Sequence, residues 1–243
     1  MSEVIAVFGA GTGLGVAVAR RFGREGFRVA LVARRKDRLD ALVEQLAAEG
    51  IDAAAFPADL TDTAGVPALV ASIRAHFGRI DVVEYGPIGG DQLFAPARDL
   101  DAATLELRSR LFLLTPVEIV HTVLPELVER GDGAILLSHG ATAVHPAPGM
   151  SGLGPVMAAA RNYLYSLNAE LTGTGVYAGT LTVAAVITDS ELAEAGRELS
   201  AEASADLAHL PVVAPADLAE TYWDMYTRRD RVEEIQPPYI PGA

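Results

Sequence analysis

Apolar residues fall in short blocks that alternate with stretches of helical period. From Val4 to Phe8 the chain is almost purely apolar; a Gly-rich stretch follows, then Leu14, Val18 and Phe22 recur on one helix face. That pattern reads strand, tight loop, helix. It repeats: Arg28 to Ala33 is a second strand, and Leu39, Leu42, Val43 and Leu46 mark a helix closed by Gly50. Residues 53–56 form a third strand, and Val66, Leu69, Val70, Ile73 and Phe77 a third helix ended by Gly78. Residues 80–85 are a fourth strand, followed by a loop rich in Gly and Pro. A long helical stretch then covers residues 102–129, with an interruption expected near Pro116, which has no N–H to donate. Residues 134–138 and Val176 to Val183 are strands five and six. Between them, residues 156–171 make a helix apolar nearly all round, as if the sheet covered one side and a second subunit the other. Later helices are expected at 191–199 and 215–226, and an extended C-terminal tail at 236–243. Strands alternating with helices predict an α/β fold: a single-domain (1–243) Rossmann-type, doubly wound parallel sheet with helices on both faces.

Composition narrows the partners. Nineteen basic against 32 acidic residues leave a net charge of −13, which repels a phosphate backbone or an anionic bilayer, so neither nucleic acid nor membrane is expected. The 243 residues include no cysteine, and the five histidines are scattered, so no metal site and no oxidising compartment is expected. No apolar run reaches the roughly 18–20 residues of a membrane span, and the start lacks a signal peptide's basic region; a cytoplasmic location follows as an expectation.

The chemistry begins at Gly9-Ala10-Gly11-Thr12-Gly13-Leu14-Gly15, directly after the first strand and opening the first helix. Glycine permits positive φ and close backbone approach, which lets a pyrophosphate lie against a helix N-terminus. A loop that merely turns tightly is the plainer alternative. At the end of strand two, where an NAD site would place an acid beside the ribose 2′-hydroxyl, the chain has Arg34 and Arg35. Two guanidinium groups suit a 2′-phosphate, so NADP(H) is expected in preference to NAD(H). A solvated basic turn is the other reading, since Lys36 and Arg38 continue the charge.

With Gly9, Gly13 and Gly15 spaced as GxxxGxG, Arg34-Arg35 after strand two and Ala58-Asp59-Leu60 after strand three, the sequence resembles the short-chain dehydrogenase/reductase family, nearly end to end. Asp81, Leu124-Pro125, the Leu167 to Leu171 element and Thr188 extend the match. The resemblance implies that Asp59 and Leu60 flank the adenine, that Gly86 lies close to the cofactor ribose, and that Thr188 belongs to the cofactor site. It also implies a catalytic set of Asn, Ser, Tyr and Lys, where Tyr is the acid/base and Lys lowers its pKa. Counting back from Glu170, the tyrosine position falls on Leu153, the lysine on Met157 and the serine on Gly140; counting back from Pro125 puts the asparagine at Phe112. None can donate or hold a proton as the family's residues do, so carbonyl reduction through Tyr and Lys is not expected.

A proton donor for hydride chemistry would have to come from elsewhere. His139, ending strand five and expected to titrate near neutral pH, and Tyr85 are the candidates, with Ser138, Thr142 and His145 as further lining. Each has a structural alternative: His139 bonding a backbone carbonyl, Tyr85 filling space. An apolar pocket suits an apolar small-molecule substrate, and the family's habits imply a homodimer or homotetramer, or pairing with an active homologue. Three readings stand: an NADP(H)-dependent oxidoreductase with an unusual proton donor, a non-catalytic dinucleotide-binding subunit, or non-redox chemistry such as dehydration or isomerisation.

Overall fold

The computed structural model describes residues 2–88, 95–190 and 211–238. Seven strands form one all-parallel sheet: β1 (Val4–Phe8), β2 (Arg28–Ala33), β3 (Ala53–Pro57), β4 (Val82–Tyr85), β5 (Gly133–Gly140), β6 (Val176–Val183) and β9 (Glu233–Gln236), in the order β3-β2-β1-β4-β5-β6-β9. Two short strands, β7 (Val186–Ile187) and β8 (Val212–Val213), pair separately. The helices are α1 (Leu14–Arg24), α2 (Lys36–Ala48), α3 (Val66–Phe77), α4 (Ala102–Ser109), α5 (Thr115–Arg130), α6 (Gly154–Glu170) and α7 (Pro215–Arg228). The strand order reverses between β1 and β4, where an open α/β sheet presents its crevice to ligands.

Strand alternation divides the core in two. Ala6 and Phe8 of β1 pack with Val70 and Ile73 of α3, Ile119 and Val123 of α5 and Leu164 of α6. Ile5 and Val7 face the other way, toward Phe22 of α1, Leu39 of α2 and Tyr222 of α7. Phe22 also meets Trp223 edge to face at 5.1 Å, tying α7 to α1. At the bottom of β4, buried Asp81 accepts the Val4 N–H (2.8 Å) and pairs with Arg79 and Arg130, which neutralise it. The upper ends of the strands are left for a site.

The interruption expected near Pro116 is a π-turn at Arg110–Leu114, which separates α4 from α5 and ends two residues before Pro116. One expectation is corrected. Gln236 does not begin a tail but ends β9, an edge strand paired with β6; its alternation was too short to read, and residues 239–243 lie outside the described residues. A stretch within Ala102–Arg130 is long and apolar enough to cross a membrane by length and composition alone; in the fold its α5 part packs on α3. The helix expected at 191–199 lies outside the described residues.

Candidate functional site

The loop from β1 into α1 has two positions, Gly9 and Gly15, where backbone atoms leave room only for glycine. Gly9 has φ +104°, and a Cβ there would lie 2.6 Å from the Pro87 backbone; a Cβ on Gly15 would lie 2.7 Å from the Gly9 carbonyl oxygen. Gly13 leads into α1 with Ser190 against it, while beside Gly11 a Cβ would meet nothing closer than 3.9 Å. No side chain caps α1 and its first turn holds no acid, so its N-terminal dipole is directed at this open space. Leu14 is buried beneath the loop, and Thr12 donates its hydroxyl to the Asp189 carbonyl (3.0 Å), joining the loop to the segment after β7. Thr188, on that segment, donates its backbone N–H to Val213.

Arg34 and Arg35 follow β2 and are exposed, with Arg35 leading into α2. Asp59 is held below the usual carboxylate range, first by the Thr61 backbone N–H (2.9 Å), against slight burial, then by the Thr61 hydroxyl (2.8 Å) and the charge of Arg34. Leu60 is buried beside it, and Val66 and Leu69 help wall a hollow of about 320 Å³ there. Gly86 closes the row: its N–H donates to the Phe8 carbonyl, placing it against the glycine loop. The residues expected to hold a dinucleotide thus line one edge of the sheet.

Next to them, Phe112, Leu153, Val156 and Met157 form a buried apolar cluster, with Leu105, Leu111 and Ala143 packed on it. Gly140 completes it, its N–H aimed at the Met157 sulfur at 3.4 Å. The four positions singled out by counting along the sequence are therefore neighbours in space. Phe112 lies within the π-turn, whose irregular bonding frees the Leu111 carbonyl; the Tyr85 hydroxyl donates to that carbonyl. Tyr85 is buried against Phe8, and burial pushes its phenol well above the usual range. It fills and ties the core, which is the structural alternative weighed for it.

His139 also departs from expectation. It is buried and pushed down to about 4, by desolvation first and by the charge of Arg161 after the opposing pull of Glu233, so it is neutral rather than titrating near pH 7. Its neighbours form a polar clamp: Arg161 of α6 donates to both oxygens of Glu233 on β9, Tyr165 donates to Glu233 at 2.6 Å, and Thr182 of β6 does so at 2.6 Å. Among the described residues no group of three or more metal-ligating side chains is gathered.

The model for the family described as short chain dehydrogenase matches residues 3–198. The chain belongs to the short-chain dehydrogenase family. Sulfoacetaldehyde reductase 2 of Chromohalobacter salexigens is 31% identical over 177 residues, covering 72% of this chain and 69% of that protein. Among solved structures, the short-chain dehydrogenase from Sphingobium yanoikuyae in complex with NADPH is similar at 27% identity and a TM-score of 0.80, covering 98% of this chain and 89% of its own. The NADPH-bound short chain oxidoreductase from Pseudomonas aeruginosa containing an atypical catalytic center gives a TM-score of 0.82 over 98% and 96% of the two chains; at 19% identity that likeness shows the fold alone.

In this short-chain dehydrogenase the sequence missed two features. Glu84 is a lone acid in an otherwise apolar central strand, 1% exposed, with neither carboxylate oxygen partnered among the described residues. A charge inside Val82-Val83-Glu84-Tyr85 was signal enough, since parallel strands covered on both faces rarely carry one. The Arg161–Glu233 clamp was not legible, because the strand carrying Glu233 was not recognised.

Proposed function

We propose that this chain is an NADP(H)-binding oxidoreductase of the short-chain dehydrogenase family that does not use a tyrosine–lysine proton relay. The observation that carries the reading is the apolar cluster of Phe112, Leu153 and Met157 beside Gly140, at the positions the sequence register equates with Asn, Tyr, Lys and Ser. Neither a leucine nor a methionine side chain exchanges a proton at any pH, so those positions can shape a pocket but cannot protonate an alkoxide.

The cofactor half fits a dinucleotide. Gly9 and Gly15 leave no room for side chains, and with Gly13 they leave backbone N–H groups and the α1 N-terminus to meet a pyrophosphate. Arg34 and Arg35 would hold a 2′-phosphate, Asp59 and Leu60 would flank the adenine, and Gly86 and Thr188 would border the ribose and nicotinamide. When bound, the dinucleotide supplies or accepts a hydride. Around it this chain's residues orient the ring and exclude water through an apolar wall, which favours an apolar small-molecule substrate. A shallow groove between α5 and α6, walled by Val117, Val120, Leu124 and Tyr163, supports a homodimer or homotetramer.

Calorimetric titration with NADPH and separately with NADH tests the reading. Tight NADPH and weak NADH binding, followed by hydride transfer to a panel of apolar ketones and aldehydes, is the expected result. Absence of binding by either dinucleotide would overturn it. A second reading, a non-catalytic dinucleotide-binding subunit, draws on the closure of the same cluster, whose members are each about 5% exposed. It predicts NADPH binding with no transfer to any carbonyl in that panel.

A further inference from the structure

Resting on the reading above, we propose that Thr115, buried at the start of α5 and 55 residues along the chain from Leu60, is a positioning residue for the adenine half of the dinucleotide site. Its hydroxyl donates to the Leu60 carbonyl (2.8 Å) and stands 2.9 Å from the Thr63 hydroxyl. A hydroxyl has one proton to give, so with Thr115 donating to Leu60 the second bond runs from Thr63 to Thr115. Both partners belong to the segment after β3. Leu60 and Asp59 wall the hollow of about 320 Å³ together with Asp62, Gly65 and Val66, and Thr63 opens the short turn Thr63–Gly65 between them.

The rest of the segment is held by itself. Asp59 accepts from Thr61 and Asp62 from Gly65, and the backbone bonds of Asp62 and Gly65 are as local. Among the described residues, the hydrogen bonds that reach 59–65 from across the fold are the two at Thr115. Local bonds set the shape of such a loop, whereas a bond from another element sets where that shape sits against the sheet. The packing of Leu60 into the core adds hold but no direction. Thr115 is 0% exposed, so no bulk water takes over the Leu60 carbonyl if the hydroxyl is lost.

The turn before Thr115 accounts for the reach of its hydroxyl. A threonine in a helix commonly bonds the carbonyl four residues back, as Thr122 does with Glu118 (2.8 Å). For Thr115 that carbonyl belongs to Leu111, and it already accepts the Tyr85 hydroxyl. The π-turn makes the exchange possible, because the Thr115 N–H bonds to Arg110, five residues back, and leaves Leu111 to Tyr85. An unbroken α-helix through 110–114 would claim the Leu111 carbonyl for its own ladder. The same turn carries Phe112 of the apolar cluster, so one irregular stretch of helix fixes the apolar end through Phe112 and Tyr85 and the adenine end through Thr115.

Two titrations of the full chain separate this role from plain stabilisation: calorimetry with NADPH, and with 2′,5′-ADP, which keeps the adenine and the 2′-phosphate but has no nicotinamide. Thr115→Val keeps the branched shape and loses the hydroxyl. It should weaken both ligands by the same factor, about 10-fold, the weight of one hydrogen bond. Thr115→Ser, which restores the hydroxyl, should bind both as the wild type does. Should Thr115→Val fail to fold, Thr63→Val, at a partly exposed position, takes its place and should show a smaller loss of the same pattern. Unchanged 2′,5′-ADP affinity in the valine variant, a loss for NADPH well beyond that for 2′,5′-ADP, or a Thr115→Ser as weak as Thr115→Val would overturn the proposal while leaving NADP(H) binding intact, as would a wild type that takes NADPH but not 2′,5′-ADP. Failure of the wild type to bind either dinucleotide would instead overturn the parent reading, and this inference with it.

Discussion

The two ends of the crevice are built on different principles. At the glycine loop, function is written in backbone: φ angles, absent side chains and the N-terminus of α1. At the Phe112–Leu153–Met157 end, function in this family is written in side chains, and here those are apolar and packed. Backbone-encoded binding cannot be removed by one substitution of a surface group, because the strand–loop–helix turn is also the first connection of the fold. Side-chain chemistry can be exchanged without disturbing the sheet, and then the vacated space is filled by core-like residues.

The sharpest way to break this contrast is to treat the apolar end as core. Phe112→Ala should lower unfolding free energy by about 3–5 kcal/mol and Met157→Ala by about 2–5 kcal/mol, as for other buried truncations, with NADPH affinity unchanged. Urea unfolding beside NADPH titration checks both halves. A loss of stability below about 1 kcal/mol would mean that the cluster is an open pocket wall rather than packed interior.

The glycine end should respond in the opposite sense. In Gly15→Ala the new methyl would lie 2.7 Å from the Gly9 carbonyl oxygen, a backbone atom that cannot rotate away, so the loop must shift. NADPH binding is expected to weaken by about 100-fold or more, equivalent to about 2.7 kcal/mol. A variant that binds as the wild type does would make the loop a mere turn.

Much of this contrast was legible in the chain itself. Val4–Phe8, Arg28–Ala33 and Val176–Val183 were read to their exact ends because short, mostly apolar runs rich in β-branched residues leave little choice. Counting from Glu170 and Pro125 found four residues that the fold brings together, since rigid helices preserve spacing. What escaped depended on tertiary context. The edge strand Glu233–Gln236 carries three polar residues in four and takes its conformation from β6. The low pKa of His139 comes from burial and from Arg161, a residue 22 positions away, which no local pattern reports.

A smaller effect distinguishes the two ends by ligand choice. Removing Arg34 should cost one charge-assisted contact to a 2′-phosphate, about 1.5–3 kcal/mol, or some 10- to 150-fold in NADPH affinity, and leave NADH affinity unchanged. Equal losses for both dinucleotides would assign Arg34 to the turn that steadies Asp59 through its charge.

The least effect is expected behind the apolar end, where Arg161 of α6 is clamped to Glu233 of β9. Burial raises the Glu233 carboxyl, but the hydrogen bonds from Arg161, Thr182 and Tyr165 outweigh it and hold the group down to about 2, against 4.5 unperturbed. A group whose folded pKa is depressed contributes stability above its unfolded pKa and loses it as pH falls through the folded one. The contribution should therefore be complete above about pH 5.5, decline between there and pH 2, and vanish below. Discounted for solvent screening at a half-buried site, it amounts to about 1–2 kcal/mol. Glu233→Gln should lose that much at pH 7 and nothing at the lowest pH where the wild type stays folded, while NADPH affinity holds throughout, because α6 reaches the apolar end and not the glycine loop. If the deficit persisted undiminished at low pH, packing of the edge strand, and not the ionised carboxylate, would be what anchors α6.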